Sequence, residues 1–335
     1  KNKKHVVTAN KALISTYGDE LLALAEEMGV MLYFEGSVAG GIPIIHGLNE
    51  SLTANKIEEI VGIINGTTNY ILTKMTLEGM EFEEALKEAQ DKGYAEADPT
   101  SDVEAYDAVY KLTVLSSIAF GTEVDVKKVY REGITKISKA DIEYAKELGY
   151  CIKLLAIGKD NDGVLELRVH PTLIPYRHPL ANVNDAYNAI FIKGNAVGDL
   201  MLYGKGAGDM PTGSAVVSDI ISILRYNINS TNKVSLRSNY WDKEVASMEK
   251  TVSEYYIRVA VRDVPGVLGD LTTVFGNNGV SLYSVIQKGK TGDDVVSVVF
   301  VTHNTQEGSV NKAIAEIKKL SSVKDVESII RVKSK

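Results

Sequence analysis

Cysteine is nearly missing: Cys151 stands alone among 335 residues. That excludes an internal disulfide framework and any zinc-ribbon spacing. Long apolar runs are missing as well, and none approaches the ~18 residues of a membrane span. A basic surplus is missing: 37 Lys and Arg face 44 Asp and Glu, for a net charge of −7. An acidic chain of this kind suits neither a broad nucleic-acid face nor an anionic membrane surface, so neither partner is expected. No apolar core follows the opening Lys1-Asn2-Lys3-Lys4, so no signal peptide is read there. A cytoplasmic location is expected.

What is present is ordinary for a globular protein: 44% hydrophobic and 24% charged residues, with no internal repeat and no low-complexity tract. At ~150 residues per domain the length predicts two or three domains. His5-Val6-Val7-Thr8 reads as a buried strand entered at once. Such a start is expected where the other strands of the sheet lie upstream, so the chain is expected to be a fragment.

The patterning divides the chain. Strand, helix and strand are predicted over 6–8, 15–29 and 30–34, the grammar of a parallel sheet. A glycine-rich turn covers 36–41. A strand over 57–64 precedes a helix opened by Asn65-Gly66-Thr67-Thr68-Asn69. Helices follow over 82–92, 102–119 and 142–149. From 152 the pattern alternates, predicting strands over 152–157, 164–169, 186–192 and 200–203, then a helix over 211–224. The polar stretch 227–252 reads as a linker. Residues 255–335 read as βαββαβ, the ferredoxin-like arrangement.

The most informative stretch is GYAEADPTSDVEAYDAVYK, residues 93–111. Asp107 and Lys111 lie four apart on a predicted helix and share one face. An exposed pair of that kind contributes a few tenths of a kcal/mol. The following turns, Leu112 to Ala119, carry no charge, so the helix is buried on most sides. A lysine at the mouth of a buried helix is costly unless it is paired or used. Burial lowers its pKa and an adjacent aspartate raises it; a lysine in that balance can exchange a proton with a substrate hydroxyl. Asp98 and Asp102 read as caps at the helix start. Glu96, outside any capping position, can meet a substrate ammonium.

The run A-x-x-x-G-Y-A-E-A-D-P-x-x-D-V-x-A-x-D-x-x-x-K, from Ala89 to Lys111, resembles the signature of homoserine dehydrogenases. One position departs: Ala105 stands where the family has Gly. Read as a mid-helix exchange, it is expected to be tolerated or even favourable. Thr8-Ala9-Asn10-Lys11 resembles the family's T-x-N-K element, which implies Lys11 beside nicotinamide and substrate. EGSVAGGI, residues 35–42, resembles its monovalent-cation loop, implying Glu35, Val38, Gly40 and Ile42 around a cation, sodium by preference. Asn65 to Asn69 resembles the helix start at the substrate pocket, implying Gly66, Thr67 and Tyr94 near substrate. Gly93 and Gly208 are implied cofactor contacts. The upstream G-x-G-x-x-G of a dinucleotide fold is not found in a suitable position, so the chain alone is expected to bind NAD(P) poorly.

The resemblance implies an α/β and α+β architecture. Residues 1–36 would be the remnant of a Rossmann-type nucleotide-binding domain, with 205–226 returning to it. Residues 37–204 would form a mixed-sheet substrate and dimerisation domain. Residues 253–335 would form a regulatory ferredoxin-like ACT domain, because Asp263-Val264-Pro265-Gly266-Val267-Leu268-Gly269 resembles the D-x-P-G-x-L element of ACT domains. An effector is then expected at Asp263, Pro265, Gly266 and Gly269, with threonine the natural candidate and a homodimer or tetramer the expected assembly. The implied reaction is reversible oxidation of homoserine to aspartate 4-semialdehyde with NADP or NAD. Glu96 would bind the substrate ammonium, Asp107 would hold its hydroxyl, Lys111 would relay the hydroxyl proton, and Lys11 would support that path. Two rival readings remain open. One is a semialdehyde dehydrogenase working through Cys151, whose place at the start of an apolar strand speaks for an inert thiol. The other is a non-catalytic fragment that senses an amino acid and dimerises.

Overall fold

The computed structural model describes residues 2–229, 243–288 and 294–333. The chain opens with β1 (Val6–Val7) and β2 (Leu32–Tyr33), paired in parallel, with α1 (Lys11–Met28) between them. Asn10 caps α1 by accepting the Leu13 N–H at 3.0 Å, and Gly29 ends it in the left-handed region at φ 62°. A short turn of helix, α2 (Ile44–His46), leads to β3 (Ile57–Ile63), α3 (Gly66–Glu78) and α4 (Phe82–Asp91). The next helices are α5 (Thr100–Val103) and α6 (Tyr106–Phe120), then β4 (Tyr130–Arg131) and α7 (Lys139–Glu147).

Four strands follow: β5 (Tyr150–Asn161), β6 (Val164–Pro175), β7 (Tyr187–Gly194) and β8 (Gly198–Lys205). Then come α8 (Asp209–Asn229) and the two-residue strand β9 (Glu244–Val245). The C-terminal unit runs β10 (Val252–Arg262), α9 (Val267–Asn277), β11 (Leu282–Lys288), β12 (Val295–Thr302), β13 (Thr305–Gln306), α10 (Glu307–Ile317) and β14 (Val323–Val332). No helix among the described residues is long and apolar enough to cross a membrane.

The main sheet has the order β11-β12-β10-β14-β6-β5-β3-β7-β8. Its first four strands have the ferredoxin-like order. The C-terminal unit is joined to the rest of the sheet, because β14 pairs in parallel with β6 through Arg331↔Thr172 and Val332↔Leu173. Without that pairing, β14 would present a row of unpaired backbone groups. Alternate residues of β10 face opposite ways. Tyr255, Ile257 and Val259 join Phe275 and Phe300 under α9 and α10. Tyr256 instead joins Ile330, Val332 and the main core beneath α3 and α6. The segment expected as a linker is also partly ordered: α8 runs to Asn229, β9 pairs with β6, and Met248–Lys250 form a 3-10 turn. Residues 230–242 lie outside the described part.

Charged pairs close the same seam. Arg258 of β10 donates from Nε to Asp141 Oδ1 of α7 at 2.9 Å, and the pair is almost wholly buried. Asp141 also completes a capping box with Ser138 at the start of α7. Arg331 of β14 pairs with Glu307 and reaches Glu132, outside the C-terminal unit.

The helix predicted over 102–119 is two helices. Ala105 interrupts it at φ 65°, ψ 17°. The exchange at this position is therefore not a mid-helix one, as expected from the sequence. A left-handed residue is where glycine has no steric cost and alanine pays ~1–2 kcal/mol.

Candidate active site

The site is built on the first turns of α6 and α3. Helix α6 buries Ala108, Leu112, Val114 and Leu115, and that burial fixes its rotation. The same rotation carries Asp107 and Lys111 inward, at 3% and 8% exposure. Two ions are tolerated there because they face each other: Lys111 Nζ lies 2.7 Å from Asp107 Oδ2. Lys111 also donates to the Ile64 carbonyl at 2.9 Å. Two of its three N–H bonds are thus occupied by the protein, which leaves one for another acceptor.

Lys11, the first residue of α1, brings a second ammonium to 2.7 Å from Asp107 Oδ1. Its side chain is 41% exposed against 4% for Asp107, so the lysine roofs the carboxylate at a solvent-facing mouth. Asn65 completes the cluster. Its Oδ1 caps α3 by accepting the Thr68 N–H at 2.8 Å. Its Nδ2 donates to Asp107 Oδ2 at 2.8 Å and to Asp102 Oδ1 at 2.7 Å.

These contacts set the charges. Burial pushes the Asp107 carboxyl up, but Lys111 and Lys11 outweigh it and hold the group down at about 2. Burial pulls the Lys11 ammonium down, yet Asp107 overcomes it, with Asp102 and Glu96 adding, and the net shift is upward. Burial raises Asp102 against the opposing Asn65 hydrogen bond. The site is therefore a fixed carboxylate between two cations, with a second carboxyl behind it.

Asp102 corrects a sequence expectation: it serves as a partner of Asn65 rather than a cap. Asp98 stands one residue ahead of the cap position, held by Pro99, and accepts the Thr100 N–H at 3.1 Å. Asn65 was legible only as a helix cap; its second role depends on α6 lying across the start of α3.

The remaining expected residues fall as follows. Glu96 is exposed, its loop held by Gln90 Nε2 donating to the Glu96 carbonyl at 3.1 Å, and its charge reaches Lys11. The Thr67 hydroxyl donates to the Tyr94 carbonyl at 2.5 Å, tying the start of α3 to the 93–98 loop. The Tyr94 ring lies 4.9 Å from that of Tyr70 and is 46% exposed. Gly66 is required by space, since a Cβ there would stand 2.8 Å from the Ala186 carbonyl oxygen. Gly93 and Gly208 are both left-handed, at φ 75° and 116°. A Cβ on Gly93 would meet nothing within 4 Å, so its backbone borders open space that a planar ligand can approach.

The loop expected to hold a cation packs against the first turn of α8 and the residues just before it. A Cβ on Gly40 would stand 2.8 Å from Thr212 Oγ1, while Val38 and Ile42 are buried. The Glu35 carboxylate accepts the Ile45 and His46 N–H groups at 2.9 and 2.7 Å. Each Glu35 oxygen thus accepts one N–H from the start of α2. Among the described residues no group of three or more His, Cys, Asp or Glu could hold a metal ion. Sequence reasoning missed His46, which bonds Asp219 of α8 at 2.9 Å and Glu50 at 3.0 Å. The Asp219 hydrogen bond lifts His46 to about 9.

The effector loop is open: Asp263, Pro265, Gly266 and Gly269 are exposed, and Gln287 Nε2 donates to Asp263 Oδ1 at 3.3 Å. Cys151 is buried, and that burial pushes its thiol up, as suits an inert side chain.

Comparison with known proteins places this geometry. The sequence model of the homoserine dehydrogenase family matches residues 43–221, and that of the ACT domain matches 255–322. A homoserine dehydrogenase of Synechocystis is 48% identical over 344 aligned positions, covering 99% of this chain and 79% of the relative. One from Bacillus subtilis is 43% identical, covering 99% and 77%. A homoserine dehydrogenase structure from Thiobacillus denitrificans superposes with a TM-score of 0.93 at 46% identity, covering 98% of this chain and 76% of that one. A hyperthermophilic archaeal homoserine dehydrogenase in complex with NADPH has a TM-score of 0.58 at 33% identity, covering 66% and 64%.

Proposed function

The chain belongs to the homoserine dehydrogenase family, and from that premise we propose that Asp107, Lys111 and Lys11 handle the proton in NAD(P)-dependent interconversion of L-homoserine and L-aspartate 4-semialdehyde. The observation that carries this reading is the buried Asp107 carboxylate held between two lysine ammonium groups at 2.7 Å each. A bound nicotinamide supplies the acceptor for the two electrons and hydrogen that leave the alcohol carbon. The rest falls to residues of this chain. The open N–H direction of Lys111 meets the substrate hydroxyl. In reduction the Lys111 ammonium gives a proton to the substrate oxygen as the C–H bond forms and is left as the amine. In oxidation Lys111 acts from that neutral amine form and takes the hydroxyl proton as the C–H bond breaks. Asp107 stays ionised, so it orients both lysines and stabilises the charge on Lys111. Lys11 adds positive potential where the oxygen gains negative charge.

Glu96 meets the substrate ammonium from the exposed side, and Gly66, Thr67 and Tyr94 shape the pocket wall. Gly93 and Gly208 approach the cofactor through their backbones. The choice between NADP and NAD lies beyond these residues; the NADPH-bound archaeal neighbour supports a phosphorylated cofactor. The 35–42 loop would hold a monovalent cation through the carbonyls of Glu35, Val38, Gly40 and Ile42. Replacing sodium by choline in the assay tests this, and unchanged activity removes the ion. The ACT domain would make the enzyme responsive to an amino acid, with threonine at Asp263, Pro265, Gly266 and Gly269. An exposed edge strand β8, with Tyr203 53% exposed, supports a homo-oligomer, which sedimentation tests. The decisive experiment is Asp107→Asn. Homoserine oxidation is expected to collapse with the fold intact, and activity near that of the wild type sinks the reading.

A further inference from the structure

Helix α6 starts without a side-chain cap. Ala105 stands at the capping position and carries no side-chain oxygen that could accept from the first turn. That turn holds Asp107, the carboxylate on which two lysines converge. The break at Ala105 also opens the ladder of helical hydrogen bonds. In an unbroken helix the Val103 and Glu104 carbonyls would accept from Asp107 and Ala108, four residues on. Val103 is buried, and a buried carbonyl without a donor is costly.

A strap over residues 131–135 supplies those donors. The Ile134 N–H donates to the Val103 carbonyl at 2.8 Å, and Arg131 Nη1 donates to the Glu104 carbonyl. The Thr135 hydroxyl donates to Glu104 Oε1 at 3.0 Å, and Arg131 Nη1 lies 3.5 Å from Glu104 Oε2. The approach is so close that a Cβ on Gly133 would stand 2.8 Å from Glu104 Cα. The strap is itself anchored on the main sheet. Arg131 pairs with Val169 of β6, and the Glu132 N–H donates to the Val169 carbonyl at 2.8 Å. The Arg131 guanidinium also lies over the Tyr106 ring, 3.7 Å from its centroid. Tyr106 is the first residue of α6 and the neighbour of Asp107.

The part-exposed ion pair with Glu104 stabilises the fold little. A planar guanidinium that is stacked on a ring and bonded to a carbonyl at once is held in one orientation, which a lysine ammonium does not reproduce. We infer that Arg131 is a positioning residue for the homoserine reaction. It holds the uncapped first turn of α6 and, through Tyr106, the Asp107 carboxylate that orients Lys111 and Lys11. The inference rests on the proton-handling role proposed above for Asp107. Arg131 bears on the chemistry only through residues 104–107, so its loss misplaces the carboxylate without removing a reacting group.

The test is steady-state homoserine oxidation by the cofactor-loaded protein, in water and in deuterium oxide. The variants are Arg131→Met, Arg131→Lys, Tyr106→Leu, the double variant Arg131→Met/Tyr106→Leu, and Asp107→Asn. Arg131→Met is expected to lower kcat by roughly 5- to 30-fold, inside the ~10²-fold of a ~1 Å misplacement, with KM changed less than about twofold. The solvent isotope effect on kcat is expected to rise, because a misplaced Asp107 slows the proton step; a merely structural role leaves that effect unchanged. Arg131→Lys restores the charge but not the stack, and is expected to stay within about threefold of Arg131→Met. Tyr106→Leu removes the other half of the stack. Its ring is 41% exposed, so this variant keeps the fold if Arg131→Met does not. The double variant is expected to be no slower than Arg131→Met, since both changes remove one contact. Wild-type kcat in folded Tyr106→Leu, a loss confined to KM, full recovery in Arg131→Lys, or losses that multiply in the double variant each overturn the inference. Wild-type kcat in Asp107→Asn sinks the proton-handling reading itself, whereas collapse there beside wild-type kinetics in Tyr106→Leu sinks only the strap.

Discussion

Asn65 donates one amide group to both Asp107 Oδ2, at 2.8 Å, and Asp102 Oδ1, at 2.7 Å. The residue that starts α3 thus also fixes the carboxylate on which two lysines converge. Its removal leaves Asp107 ionised but free to rotate, and misplacement of ~1 Å costs up to ~10²-fold in rate. Asn65→Ala is expected to lower kcat by about 10- to 100-fold with a smaller change in KM. Steady-state kinetics check it, and a change confined to KM would remove Asn65 from positioning.

Lys111 and Lys11 touch opposite oxygens of one carboxylate, but only Lys111 is buried with an N–H to spare. Lys111→Ala is expected to cost ~10²- to 10⁴-fold in kcat, the range of a lost proton-transfer group. Lys11→Ala is expected to cost less. Equal losses would mean that both act only through charge.

Ala105 sets opposing effects against each other. Its left-handed backbone costs alanine ~1–2 kcal/mol. Glycine there would forfeit ~0.8 kcal/mol of methyl burial and ~0.4–1 kcal/mol through unfolded-chain entropy. Ala105→Gly is therefore expected to leave stability within about 1 kcal/mol. Ala105→Val, at a fully buried position, is expected to cost more than ~3 kcal/mol through strain and overpacking. Urea unfolding of both variants decides.

His46 is raised from 6.5 to about 9. A raised folded-state value contributes stability that is full below 6.5 and is lost as pH rises through about 9. Lys153, lowered by burial to about 8, acts oppositely but only above that pH. Between pH 6.5 and 8 the Tm of the wild type is expected to fall, and that of Asp219→Asn to fall less. Parallel curves would contradict the assignment.

The Arg258–Asp141 pair joins the ACT sheet to α7. Removing one partner of a buried pair strands the other charge at ~3–5 kcal/mol. Asp141→Ala is expected to destabilise the whole chain by that order, read by urea unfolding, whereas a loss confined to α7 would be near the ~1 kcal/mol of a cap.

Much of this protein can be read along the chain because its information is local. Helix α9 and strand β12 begin and end where apolar periodicity and turn residues place them, and Asp107 and Lys111 share a face because four residues make one turn. The run from Ala89 to Lys111 carries the chemistry in consecutive positions. What lay beyond the sequence depends on contacts between distant segments. Lys11 and Asp107 are 96 positions apart by number, and only the docking of α1 on α6 brings them to 2.7 Å. The second role of Asn65, the use of the Glu35 carboxylate by α2 and the pairing of β14 with β6 share one cause. Each is settled by which buried polar group finds a partner once the chain has closed on itself, and local residue pattern does not record that.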